Sequence, residues 1–107
     1  MANATRTKAA KAEIQTIDAA GRKLAFKLNI NRLCDIEEVL GKPTGQIVRE
    51  LKDSPSLRVI RAIFYAGLED EDGDVIGFGD SGDVIAEVGF TRCAEMIGAE
   101  MTRVLGS

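Results

Sequence analysis

The segment from Ser54 to Leu68 limits the possible folds more than any other. On a helical wheel, Leu57, Ile60, Ile63, Phe64, Gly67 and Leu68 fill one broad apolar sector, and Arg58, Arg61 and Tyr65 fall together on its flank. One neighbouring element cannot cover so wide a sector, so this helix is expected at the centre of the molecule with other elements around it. Ser54 followed by Pro55 marks its start, because a proline at the first helical position has no backbone donor to leave unpaired. The chain has 107 residues, enough for one hydrophobic core and too few for two. With four Phe, one Tyr and no Trp, that core must be mainly aliphatic.

The remaining segments supply the cover. Leu24, Phe26, Leu28 and Ile30 alternate with Ala25, Lys27 and Asn29, the pattern of a half-buried strand. Upstream, Glu13 to Asp18 carries Ile14 and Ile17, and Ala19-Ala20-Gly21 can turn the chain back to make an N-terminal hairpin. A two-stranded ribbon is marginal by itself, so helices must cover its apolar face. Asn31 is placed to cap a first helix bearing Leu33, Ile36 and Leu40, which Gly41 ends. Thr44 is placed to cap a second, bearing Ile47, Val48 and Leu51. Glu69 to Asp83 holds seven acidic residues and no basic one, and reads as a loop. A short helix with Val84, Ile85 and Val88 then stops at Gly89, and Thr91 opens a last helix striped with Cys93, Ile97, Met101, Val104 and Leu105. The expected fold is α+β, an N-terminal β-hairpin packed on four to five short α-helices, over residues 13–107.

Several chemistries are excluded or disfavoured. The chain has no His, which removes Ser-His-Asp and Cys-His catalysis and every imidazole zinc site. Cys34 and Cys93 lie far apart with no close Cys or His partner, and read as free thiols. The acidic run Glu69-Asp70-Glu71-Asp72-Gly73-Asp74 is rich in oxygen ligands. A calcium loop beginning at Asp70, however, would need Gly and Glu where Val75 and Ser81 stand. Gly77, Gly79 and Gly82 lack the strand, helix and Lys of a phosphate loop. Glu37 and Glu38 point about 100° apart on their helix and read as surface charge rather than as an acid and base pair. No catalytic, cofactor or metal residue is assigned, no small-molecule substrate is expected, and an enzyme is disfavoured. No apolar run is long enough to span a bilayer, and a cytosolic protein is expected.

Charge is unevenly placed. Residues 1–32 carry seven basic and two acidic side chains, and the remainder seven basic and fifteen acidic. Residues 1–12 are small, polar and basic, the composition of a flexible arm. Without clustered aromatics or a binding motif, nucleic-acid binding through that arm is the disfavoured reading. Arg58, Arg61 and Tyr65 form the stronger candidate, since an aromatic anchor beside two arginines on adjacent helical turns is a composition favoured at protein interfaces. The alternative for that flank is ion pairing with neighbouring acidic residues.

Three blocks, taken in order, carry a family resemblance. They are Leu24-Ala25-Phe26-Lys27-Leu28, the stretch Asn29-Ile30-Asn31-Arg32-Leu33-Cys34-Asp35-Ile36-Glu37-Glu38-Val39-Leu40-Gly41, and Arg58-Val59-Ile60-Arg61-Ala62-Ile63-Phe64-Tyr65-Ala66-Gly67-Leu68. With the Val88-Gly89-Phe90 break and the last amphipathic helix, the set resembles the small tail proteins of gene transfer agents and long-tailed phages, described as tail-tube-related or as tail assembly chaperones. The likeness spans residues 13–105 and leaves the arm outside. It implies a non-enzymatic protein of the bacterial cytoplasm that binds the tape-measure protein and the tail-tube protein during assembly. A permanent tail component is the alternative it leaves open, and self-association is compatible with either.

Overall fold

A computed structural model describes residues 15–19 and 21–106. The expected arm over residues 1–12, Ile14 and Ala20 lie outside the described residues. The elements are β1 (Gln15–Ala19), β2 (Arg22–Phe26), α1 (Ile30–Leu40), α2 (Thr44–Asp53), α3 (Leu57–Gly67), β3 (Leu68–Glu69), α4 (Phe78–Val88) and α5 (Phe90–Leu105). The fold is therefore α+β, with the hairpin and, among the described residues, five helices. Among the described residues no helix is long and apolar enough to cross a membrane.

The hairpin forms because alternate residues are apolar. Ile17 pairs with Leu24 across β1 and β2, Ala19 and Phe26 share their buried face, and Thr16, Asp18 and Lys23 face water. Gly21 turns the chain at φ 71°, a left-handed conformation that costs glycine nothing. The hairpin is not the whole sheet. Leu68, at the end of α3, pairs with Phe26 and makes β3 a third antiparallel strand in the order β1-β2-β3.

Helix α3 is central, as its wide apolar sector requires, packing against α1, α4, α5 and β2. Ile60, Ile63 and Phe64 are fully buried, and the Phe64 ring lies 4.6 Å from that of Phe26. Gly67 permits this approach: a Cβ there would stand 2.6 Å from Cε1 of Phe26.

Several expected boundaries move, each for a local reason. Strand pairing stops at Phe26, so Ile30 is not the last strand residue but the first of α1, and it is exposed. Asn29, rather than Asn31, caps that helix, its Oδ1 accepting from the Arg32 N–H at 2.8 Å. Thr44 is the first residue of α2, and its cap is supplied across the turn by Glu37, whose Oε2 accepts from both the N–H and the Oγ1 of Thr44 at 2.7 Å. Helix α3 starts at Leu57 after Ser56, not at Pro55, which leaves Leu57 on an uncovered end. Helix α5 starts at Phe90, one residue before Thr91. The acidic segment is shorter as a loop than expected. Glu69 bridges to Val75, Ile76 is buried, and α4 takes up residues from Phe78 onward because Ser81 joins Val84 and Ile85 on its buried face.

The link from β2 to α1 is irregular, yet its backbone groups are satisfied in sequence. The Lys27 N–H donates to the Gly67 carbonyl, and the Lys27 carbonyl accepts from Arg32. The Leu28 N–H donates to Oε1 of Glu100 at 2.7 Å, and the Leu28 carbonyl accepts from Nη2 of Arg103 at 2.8 Å. The same guanidinium grips the Glu100 carboxylate through Nε at 3.0 Å and Nη2 at 2.9 Å. Glu100 is only 1% exposed. A buried carboxylate is tolerable only when paired and hydrogen-bonded in this way.

Removing the carboxylate strands both the Leu28 donor and the Arg103 charge. Glu100→Ala is expected to destabilise the fold by about 3 kcal/mol, measured by urea unfolding, and a change near zero would show the clamp to be dispensable. Gly67→Ala is expected to cost about 1–3 kcal/mol through overpacking against Phe26, and the double substitution Gly67→Ala with Phe26→Leu should recover part of it.

Candidate protein-docking face

Arg58, Arg61 and Tyr65 share one flank of α3, as the wheel requires, but the tertiary structure gives them different roles. The ring of Phe78, the first residue of α4, lies against this flank. The Arg61 guanidinium carbon lies 4.3 Å from the Phe78 centroid, and the Tyr65 ring meets Phe78 edge-on at 5.2 Å and 75°. Arg61 and Tyr65 thus form a surface cluster with Phe78, all three side chains exposed, held by a cation–π contact and an edge-to-face aromatic pair. The ion pairing offered as the alternative for the flank does not occur among the described residues. Arg58, one turn earlier, makes no ion pair among them either, and it points to the mouth of a cleft.

That cleft, of about 480 Å³, runs between α3 and α4 and is bordered by Leu57, Arg58, Arg61, Ile85, Ala86 and Phe90. A second depression of about 940 Å³ continues beyond Leu57, Arg58 and Phe90 toward Val39, Leu40 and Pro55. Its polar edge is already neutralised, because Lys42 Nζ lies 2.7 Å from Oε1 of Glu50. Val39 is 70% exposed, Leu57 62% and Phe90 36%. Where α3 and α5 begin, no neighbouring element covers them, and these apolar side chains remain in water around the two depressions. A contiguous apolar patch of this kind marks an interaction surface more often than an isolated exposed side chain does.

The other candidates resolve differently. Glu37 is held in the structure: its two bonds to Thr44 keep the carboxyl below its ordinary value of 4.5 and fasten α1 to α2. Cys34 is exposed, whereas Cys93 is buried and its thiol is pushed up to about 11 by burial, which makes it a poor nucleophile. The carboxylates of Asp70, Asp72 and Asp74 have oxygens within 4.8 Å of one another. Asp70 Oδ1 is engaged by the N–H groups of Asp72 and Asp74 in a tight turn. A calcium-loop frame starting at Asp72 has Gly77 at its glycine position, but Asp83 stands where Glu is required, buried Ile76 occupies a ligand position, and residues from Phe78 onward are helical rather than looped.

Phe78 and Phe90 are the residues of this face that sequence reasoning passes over. Each is a single aromatic beside glycine in a polar stretch, Gly77-Phe78-Gly79 and Gly89-Phe90-Thr91, and such isolation is a usable signal. Comparison with protein-family models, with curated proteins and with solved structures finds no match.

Two outcomes follow from this geometry. Phe78→Ala removes the partner of both Arg61 and Tyr65 and is expected to lower stability by about 1–2 kcal/mol, whereas Arg58→Ala should leave thermal unfolding unchanged. Glu37 and Glu50 both have carboxyls held below the ordinary value, Glu37 by Thr44 and Glu50 chiefly by Lys42 and then Gln46. Their contribution is fully present above the unfolded-state pKa and is lost as pH falls through the lower folded-state values. Stability should therefore decline through the acid range below that ordinary value, and Glu37→Gln should flatten the decline when melting temperature is followed against pH.

Proposed function

We propose that this chain is a non-enzymatic assembly chaperone of a phage-like tail, acting in the bacterial cytoplasm on the tape-measure and tail-tube proteins. The resemblance of its ordered blocks to small tail proteins suggests the system. The observation that carries a binding role is the uncovered apolar surface formed by Val39, Leu57 and Phe90 around the two depressions. A surface like this can cover the apolar face of a long helical protein until assembly displaces it. The depressions are open and charged side chains stand at their edges, which favours exchange over permanent attachment.

Mechanistically, Leu57 and Phe90 would replace water on the captured helix, and Arg58 would set its orientation through a charge-assisted hydrogen bond. The Phe78 cluster keeps Arg61 and Tyr65 ordered beside this surface, so less side-chain entropy is lost on binding.

Co-expression with the tape-measure and tail-tube proteins encoded beside it tests the reading. The tagged chain should retain one or both through purification at low salt, and Leu57→Asp with Phe90→Asp should release them while the chain stays folded. Failure to retain either protein at low salt would remove the proposal. Mass spectrometry of finished particles should find the chain absent at tube stoichiometry, and its presence there would make it a permanent component instead.

A further inference from the structure

We propose that the cleft between α3 and α4 receives one amphipathic helix whose apolar stripe is flanked by carboxylates on the side facing α3. This rests on the reading of the face as a protein-docking surface and adds the chemistry of the occupant.

The floor of the cleft comes from α4. Gly82 and Ala86 lie one turn apart, Gly89 ends the helix, and Ile85 lies between them. With at most one side-chain carbon at three of those positions, a helix backbone can approach closely. Leu57 and Phe90 stand at the rim with large exposed apolar surface to meet its side chains. An aliphatic stripe on the occupant fits this floor.

Charge decides what flanks the stripe. Arg58 and Arg61 form the α3 wall, and neither makes an ion pair among the described residues. The chain carries 17 acidic and 14 basic residues, so carboxylates are in surplus and a local counter-ion would have been easy to provide. Arg61 is held over Phe78 by its guanidinium, and its Cδ lies 3.7 Å from where a Cβ on Gly82 would stand, which places its charge at the edge of the floor. Residues three apart on a helix sit about 5–6 Å from one another, so the two guanidiniums match carboxylates one turn apart on an occupant. Beside the floor, Asp83 falls on the exposed outer flank of α4, and its charge disfavours acidic residues on that side. The cleft therefore prefers a helix that is acidic along α3 and neutral or basic along α4.

Two labelled helical peptides test this, identical in a Leu stripe and carrying either Glu or Lys along one flank. They are titrated with the full chain and followed by fluorescence anisotropy at 50 mM and 300 mM NaCl, concentrations on either side of the range where exposed charge pairs become largely screened. The Glu peptide is expected to bind roughly tenfold or more tighter than the Lys peptide, a difference of about 1.4 kcal/mol or more, and to lose most of that advantage at high salt. Arg58→Glu should abolish or reverse the preference, and Ala86→Arg should block both peptides, with thermal unfolding unchanged in each variant. Equal binding of the two peptides, no binding of the Glu peptide, or binding indifferent to Ala86→Arg would overturn the inference. So would a shift from dimer to monomer on Ala86→Arg in sedimentation, which would assign the cleft to a second copy. Failure here is separable from failure of the chaperone reading. Retention of the tape-measure protein without dependence on Arg58 removes only the acidic-helix inference. Tight Glu-peptide binding without retention of either tail protein removes only the tail assignment.

Discussion

The backbone N–H and carbonyl of Leu28 are both held by a single pair of side chains from the C-terminal helix. Glu100 accepts from its N–H and Arg103 donates to its carbonyl, while the two side chains bind each other. The site lies where the chain leaves the sheet and has not yet entered α1, so regular secondary structure cannot satisfy those groups. The partners come from more than 70 residues further along the chain. The clamp thus ties the first third of the protein to its last helix, and through Lys27, Arg32 and Gly67 it also reaches the end of α3. Replacing a whole buried ionic cluster with well-packed apolar side chains is often neutral for stability, but removal of one member leaves a buried group without its partner, which is the costly case.

With that link fastened, the positions of the core elements follow. Leu28 and Phe26 are buried against the end of α3, Gly67 gives the Phe26 ring room, and Phe64 stacks beside it. Helix α3 is then covered by α1, α4, α5 and the sheet over most of its length, but its first turn extends past them. Leu57 and Phe90, each at a helix start, consequently remain in water beside the clefts. The docking face is a product of this packing: the core helix is longer than its cover.

Much of the fold was legible because periodicity is a local signal. The alternation through Leu24 and Phe26, the stripe of Ile60, Ile63 and Phe64, and the left-handed stop at Gly41 all lie within a few residues of the features they determine. Boundaries were less legible, since they depend on which partner satisfies an end group. Thr44 has the composition of a cap, yet its own donors are taken by Glu37 from the preceding helix. The third strand was hidden because Leu68 fits a helical stripe and a strand pair equally well until Phe26 is beside it. Glu100 was overlooked although it interrupts the stripe of Cys93, Met96, Ile97 and Met101, and a charge in such a place signals a buried partner.

The candidate face divides along the same line. That Arg58, Arg61 and Tyr65 share one flank is a consequence of helical geometry and needs only their spacing. That Arg61 and Tyr65 are engaged with Phe78 while Arg58 borders an open cleft depends on where α4 docks, which local spacing does not encode. The amino-acid order by itself determined the α+β class, the central helix, the absence of imidazole chemistry and the grouping of the three flank residues. Only the tertiary structure decided which of them pack on Phe78, what clamps Leu28 and where apolar surface is left uncovered, because each of those depends on contacts between segments distant along the chain.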